Sequence, residues 1–446
     1  MTDLDERLAR VRQEQEALRL GLPNTLVRDV HEAVIRDMGP SLYERGADRS
    51  QIEKLVAKKL AGLLSERDIQ VSAEQETELA ARILADVLGW GPLDTLLADE
   101  TVTEIMVNKP DNIFVERRGK IEAAEERFRN EGHVRRIIDK IVGQVGRRID
   151  ESSPMVDARL PDGSRVNAVI PPLAIGGAKL TIRKFAAKPL TIDDLIGFGT
   201  INRQAATFLN LGVRGRLNVL VSGGTGSGKT TLLNVLSSFI PANERIVTIE
   251  DAVELQLMQE HVVQLESRPP NIEGKGQITI RDLVRNSLRM RPDRIIVGEV
   301  RGGEALDMLQ AMNTGHDGSL GTVHANTPRD VLSRLETMVL MSGMELPISA
   351  IRQQMAAAID IIVQLARLRD GSRRVTQITE ITGMEADIIT MQDLFVFQYA
   401  KTPVGGRVEG TLQSSGIRSR SFERLQEMGL DVPANLFGGG REWPAA

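Results

Sequence analysis

Residues 217–240, LNVLVSGGTGSGKTTLLNVLSSFI, decide the fold. The apolar run Leu217–Val221 reads as a buried strand, and Leu232–Ile240 reads as an apolar helix. Between them, Gly223-Gly224-Thr225-Gly226-Ser227-Gly228-Lys229-Thr230 satisfies the spacing G-x-x-x-x-G-K-S/T. Glycines at this spacing let backbone N–H groups close around phosphate oxygens, and the following helix points its positive end at the same charge. In such a loop Lys229 reaches the β- and γ-phosphates, and Thr230 ligates Mg²⁺. The expected ATP-binding residues are Gly223, Gly224, Thr225, Gly226, Ser227, Gly228, Lys229, Thr230 and Thr231.

Outward from this loop, apolar runs recur at Ile246–Ile249, Ile295–Val297 and Leu320–Val323, separated by helical stretches. Strands alternating with helices predict an α/β fold whose parallel sheet binds ligands at the carboxyl ends of its strands. Each run leads into polar residues: Glu250-Asp251, then Gly298-Glu299, then His324. Four chemical segments are thereby expected on one edge. Glu250, Asp251 and Glu254 suit water polarisation or indirect Mg²⁺ binding, and an acidic helix start is the plainer alternative. Glu299 is the expected catalytic glutamate that orients water for in-line attack, with Thr230, Glu250 and Glu299 as the candidate metal set. His324 is expected to sense the γ-phosphate. Paired with His316 it fits no standard zinc spacing. Arginines are dense at Arg281, Arg285, Arg289, Arg291, Arg294 and Arg301, and most of them should be solvated. Arg159, Arg165 and Arg183 are candidates for a cation supplied to the developing charge from another domain.

The chain divides by texture. Residues 1–90 predict an N-terminal helical bundle: a polar helix over 5–20, apolar spacing over 24–38 and from Ile52 to Leu63, and a helix from a Ser72/Gln75 capping box to about Leu88. Residues 91–185 predict an α+β domain carrying the three arginines, with strands at Thr103–Val107 and Ile113–Glu116 and a helix near His133–Ile149. Pro189, Gly197 and Gly199 mark 186–202 as a hinge, 203–370 as the nucleotide domain, and 371–446 as a partly mobile extension.

Composition narrows the class. The 446 residues include no cysteine, which removes disulfides and thiolate chemistry. No window approaches the ~18 apolar residues of a membrane span, so the expectation is a soluble protein that meets membranes only through partners. A net charge of −5 and 3% aromatics oppose nucleic acid as the main ligand, although nucleic-acid motors share this core. Stimulation by single-stranded DNA is the property that would mark that alternative.

Taken in order, the loop Gly223–Thr230, Ile249–Glu254, Arg291–Gly303 and Thr314–Asn326 resemble the Walker A, Asp box, Walker B and His box of the type II and type IV secretion ATPase superfamily. The resemblance spans roughly Gly91 to Leu368. DARLPDGSRVNAVIPP, RPDRIIVGEVRGGEA and NTGHDGSLGTVHAN are most similar to the CpaF-like branch, which drives Tad (Flp) pilus assembly. Gly302 stands where many relatives carry Asp, and the four-cysteine zinc module of several relatives is impossible here. The resemblance implies a RecA-like ATPase domain with a parallel-rich sheet, a homo-hexamer closed by arginines, and hydrolysis of MgATP. It also implies a cytoplasmic position at the inner membrane through integral-membrane platform proteins, without insertion of its own and without nucleic acid.

Overall fold

The computed structural model describes residues 49–117, 119–185, 189–270, 275–400 and 408–438, with isolated helical positions between Leu26 and Asp37. The expected helix over 5–20 and most of the stretch 24–38 lie outside the described residues. Two compact units meet between Ala187 and Lys188.

In the first unit, α1 (Arg49–Glu66) and α2 (Ala73–Leu88) pack Ile52, Val56, Leu60, Ile83 and Val87 against Leu26, Val30 and Val34. The Ser72/Gln75 box is present: the Gln75 amide donates to Ser72 Oγ, and the Ser72 amide donates to Gln75 Oε1. After α3 (Leu93–Ala98) come β1 (Val102–Lys109), β2 (Asn112–Arg117), β3 (Lys120–Ala123), α4 (Glu131–Gln144), β4 (Met155–Arg159), β5 (Arg165–Val169) and β6 (Lys179–Arg183). The strands form a six-stranded antiparallel sheet in the order β3-β2-β1-β6-β5-β4. Helix α4 ends short of the expected Ile149 because Gly146 turns left-handed at φ 68°. The Arg147 amide then reaches back to the Val142 carbonyl in a Schellman closure.

Lys140 of α4 is buried and donates to the carbonyls of Val87 and Gly89 at 2.7 and 2.8 Å, capping the open end of α2. Burial lowers its pKa from 10.5 to about 8, because the charged form loses its water. Between those values the unfolded chain holds a proton that the folded one does not. Stability of this unit therefore rises with pH from about 8 to 10.5. Urea melts followed by Trp90 fluorescence should show that slope, and Lys140→Met should flatten it.

The second unit begins with α5 (Ile192–Gly197), closed by a Thr191/Asp194 capping box, and α6 (Arg203–Arg214). The stretch expected as a hinge thus carries a capped helix, because Leu195 finds a place in the core. Next come β7 (Val219–Gly223), α7 (Lys229–Ser237), β8 (Ile246–Glu250), β9 (Val262–Glu266), α8 (Ile280–Ser287), β10 (Arg294–Val300), α9 (Glu304–Asn313), β11 (Leu320–Val323), α10 (Pro328–Leu340) and α11 (Ile348–Ala358). Then follow β12 (Ile361–Arg367), β13 (Arg373–Glu385), β14 (Ile388–Tyr399), β15 (Gly410–Ser414) and α12 (Phe422–Glu427). The nine-stranded sheet runs β15-β14-β13-β12-β7-β11-β10-β8-β9. It is parallel from β12 to β9, and antiparallel from β12 out to β15. Along β7, Val219 and Val221 enter one apolar layer while Leu220 enters the other, so the strand is buried on both faces and reads as an unbroken apolar run.

The described part of the extension packs back onto β13 and the core beside it. Glu380 of β13 is buried, and its carboxylate accepts from the Ser419 and Ser421 hydroxyls, the Arg420 and Ser421 amides and Gln392 Nε2. Phe422, Leu425, Leu436 and Phe437 complete the layer containing Phe208 and Phe395. Residues 401–407, with Gly405-Gly406, and 439–446 lie outside the described residues.

Candidate nucleotide-binding site

Strand β7 delivers the glycine-rich loop and α7 starts at its end, with Gly228 at φ 96° as N-cap and Gly226 at φ 70° inside the turn. Neither conformation suits a side chain. A Cβ on Gly223 would stand 2.6 Å from the Leu365 carbonyl of β12, so only glycine allows the two backbones to approach. Lys229 Nζ donates to the carbonyls of Gly223 and Gly224 at 3.0 and 3.1 Å, which holds the ammonium over the loop. A cradle of positive-φ glycines at a helix start, with a lysine drawn over it, fits a phosphate.

Of the expected acidic residues, Glu250 and Glu299 lie on β8 and β10, which adjoin each other and are separated from β7 by β11. Glu250 ends β8 and is buried; its Oε2 accepts the amides of Glu254 and Leu255 at 2.8 and 3.1 Å. Gly298 makes room for it, since a Cβ there would lie 2.8 Å from Glu250 Cγ. Glu299, in the irregular part of β10, pairs with Arg301 at 2.6 Å, and Arg301 also reaches Asp251 at 2.9 Å. One guanidinium therefore ties together two acidic segments. His324 follows β11, whose last residue lies between Ser222 of β7 and Val300 of β10. The Ala325 carbonyl accepts from Ser222 Oγ and Gln364 Nε2, which fixes the chain just after the histidine. His316 precedes β11, so a strand separates the two histidines.

Arg159, Arg165 and Arg183 belong to the first unit, whereas the loop, both glutamates and His324 belong to the second. Register pairs Arg159 with Arg165 and Arg165 with Arg183, so the three cations form one row across β4, β5 and β6. Arg183 lies 3.9 Å from Glu104, the next position in the row. Directly opposed like charges repel. Of the six arginines of 281–301, Arg285, Arg289, Arg291 and Arg301 are exposed as expected, although Arg281 and Arg285 both hold Asp307, and Arg294 is buried on Glu244.

Beside the loop a pocket of about 200 Å³ opens within the second unit, walled by Leu195, Phe198, Leu232 and Leu365. Arg373 lines it and donates through Nε to the Gly226 carbonyl at 3.0 Å. These residues escaped the sequence reading. The signal available for them was Asp370-Gly371, a turn dipeptide between two strand-like runs.

A glycine-rich loop at a helix start, on the carboxyl edge of a parallel sheet with acids on adjoining strands, defines a P-loop protein of the α/β class. Residues 87–399 match the family described as Type II/IV secretion system protein, and the chain belongs to that family. A Mycobacterium tuberculosis protein provisionally named for conjugal transfer is 39% identical over 322 residues, 70% of this chain and 91% of its own. The type IV secretion system protein PtlH of Bordetella pertussis is 35% identical over 319 residues, covering 65% and 93% of the two chains. The crystal structure of the VirB11 ATPase from Brucella suis, in complex with sulfate, is 30% identical over 64% of this chain and 94% of its own, with a TM-score of 0.36.

Proposed function

We propose that this chain is a hexameric motor that hydrolyses MgATP to power Tad (Flp)-type pilus assembly or protein secretion through a membrane platform. The observation that carries the reading is the placement of Lys229, Glu250, Glu299 and His324 at the ends of four adjoining parallel strands. Lys229 and the loop amides bind the β- and γ-phosphates, and Glu299 accepts the proton of the water that attacks the γ-phosphorus. The bond to the β-phosphate oxygen breaks, giving ADP and phosphate. His324, one strand from both, senses whether the γ-phosphate is present. The Thr230 hydroxyl and the Glu250 carboxylate are the groups that would hold Mg²⁺, which supplies neutralisation of the phosphate charge. The row Arg159, Arg165 and Arg183 is the cationic surface offered to the transferring group, from this chain or from its neighbour in a ring.

Family membership supports the secretion reading, as does PtlH, which is named for a type IV secretion system. Among the described residues no helix is long and apolar enough to cross a membrane. The proposal places the chain in the cytoplasm, held at the inner membrane by platform partners. The test is MgATP hydrolysis per chain as protein concentration rises, with Lys229→Ala as the blank. A specific rate that climbs steeply and levels, absent from the variant, is the expected result. A rate independent of concentration in a monomeric chain rules out the ring.

A further inference from the structure

The P-loop accounts for the phosphates of a nucleotide but not for Arg373. This residue starts β13, just after the Asp370-Gly371 turn that follows β12. Its Nε bonds the Gly226 carbonyl, and its Cδ is 3.3 Å from where a Cβ on Gly228 would stand. Among the described residues lining the pocket, Arg373 is the one charged side chain. The pocket also touches Ser227, Gly228 and Thr231, so it is continuous with the phosphate cradle. Arg373 therefore stands where the pocket joins the phosphate cradle.

The turn that presents Arg373 is built firmly. Asp370 accepts the Ser372 amide and hydroxyl at 3.0 and 2.7 Å, and its other oxygen accepts the Val408 amide at 2.9 Å. The neighbouring Arg374 donates to the Phe198 carbonyl at 2.7 Å, and the Val375 amide donates to the Thr200 carbonyl at 2.8 Å. The hairpin is thereby fastened to the pocket wall on one side and to the P-loop on the other.

We propose that Arg373 is a nucleotide-positioning residue that acts within its own subunit, binding the α-phosphate and closing the base pocket against the P-loop. This rests on the reading of the loop as an ATP site. It assigns to the β12–β13 hairpin a part that the first-unit arginines do not play.

Direct titration of the full chain with ADP and with inorganic pyrophosphate tests it by calorimetry, without turnover. Arg373→Ala should weaken ADP about tenfold or more, the ordinary effect of losing a charge-assisted hydrogen bond. Pyrophosphate, which fills the cradle alone, should weaken by less than about threefold. Arg373→Lys should recover part of the ADP affinity, because it restores the charge without the fork. Equal ADP affinity in Arg373→Ala overturns the proposal. Equal losses for ADP and pyrophosphate also overturn it, because Arg373 then only braces the loop. If the unaltered chain binds no ADP, the ATP-site reading falls and takes this inference with it. Thermal melting of both variants separates loss of binding from loss of fold.

Discussion

Glu299→Gln should lower MgATP turnover about a hundredfold or more while leaving ATP affinity within a few fold. Glutamine keeps the shape and the neutral hydrogen-bonding capacity of the side chain but cannot accept a proton from water, and a positioned base contributes about 10²–10⁴-fold. Binding survives because the phosphate cradle is made by the backbone and lysine of the Gly223–Thr230 loop rather than by Glu299. Arg301 loses a charged partner but keeps Asp251 at 2.9 Å, so the edge of the sheet stays tied. Single-turnover hydrolysis beside an equilibrium ATP titration separates the two quantities. A loss under tenfold would remove Glu299 from the base role and leave Glu250 as the candidate. A parallel collapse of affinity would show that the pair with Arg301 shapes the binding site itself.

The largest loss of stability is expected at the opposite end of the same strand. Arg294 begins β10 and is fully buried. Its guanidinium bonds the Glu244 carboxylate and the Gly318 carbonyl, and Arg216 reaches Glu244 at 3.1 Å. Burial lowers the Arg294 pKa and the hydrogen bond to Glu244 opposes it, so the ion pair is what keeps this charge in the interior. Arg294→Ala leaves a buried carboxylate with one cation in place of two, beside a cavity. Removing one partner of a buried pair costs about 3–5 kcal/mol. Urea melts of the variant should show that drop. Arg294→Met combined with Glu244→Leu should return most of it, because an apolar pair of similar volume needs no partner. If the double variant is no better than the single one, the loss comes from packing at Gly318 rather than from charge.

The legible parts of this fold share a cause. The runs ending at Val221, Ile249, Val297 and Val323 are apolar because central parallel strands are covered on both faces, and local sequence carries that signal whole. The P-loop is legible because phosphate chemistry fixes glycine, lysine and threonine at set intervals. Strand β13 was missed because Thr376, Gln377, Thr379, Glu380 and Thr382 interrupt its apolar positions, whereas in β14 the apolar run Leu394-Phe395-Val396-Phe397 was a signal left unread. The contacts that hold the described part of the tail were not legible because Glu380 and Ser419–Ser421 lie about forty positions apart in the chain. Arg373 was hidden for the same reason, standing 147 positions from Gly226 in the chain. The helix α4 boundary failed on a single glycine, whose left-handed turn is a property of backbone freedom rather than of apolar pattern.

The segment that relatives share ends at residue 399, and the clasp on Glu380 begins twenty residues later. A chain cut after Tyr399 would keep every residue named for nucleotide chemistry. It would also strip the interior carboxylate of its Ser419–Ser421 donors and uncover the aromatic layer around Phe208 and Phe395. The interior of the shared segment is therefore completed by residues that lie beyond it in the chain.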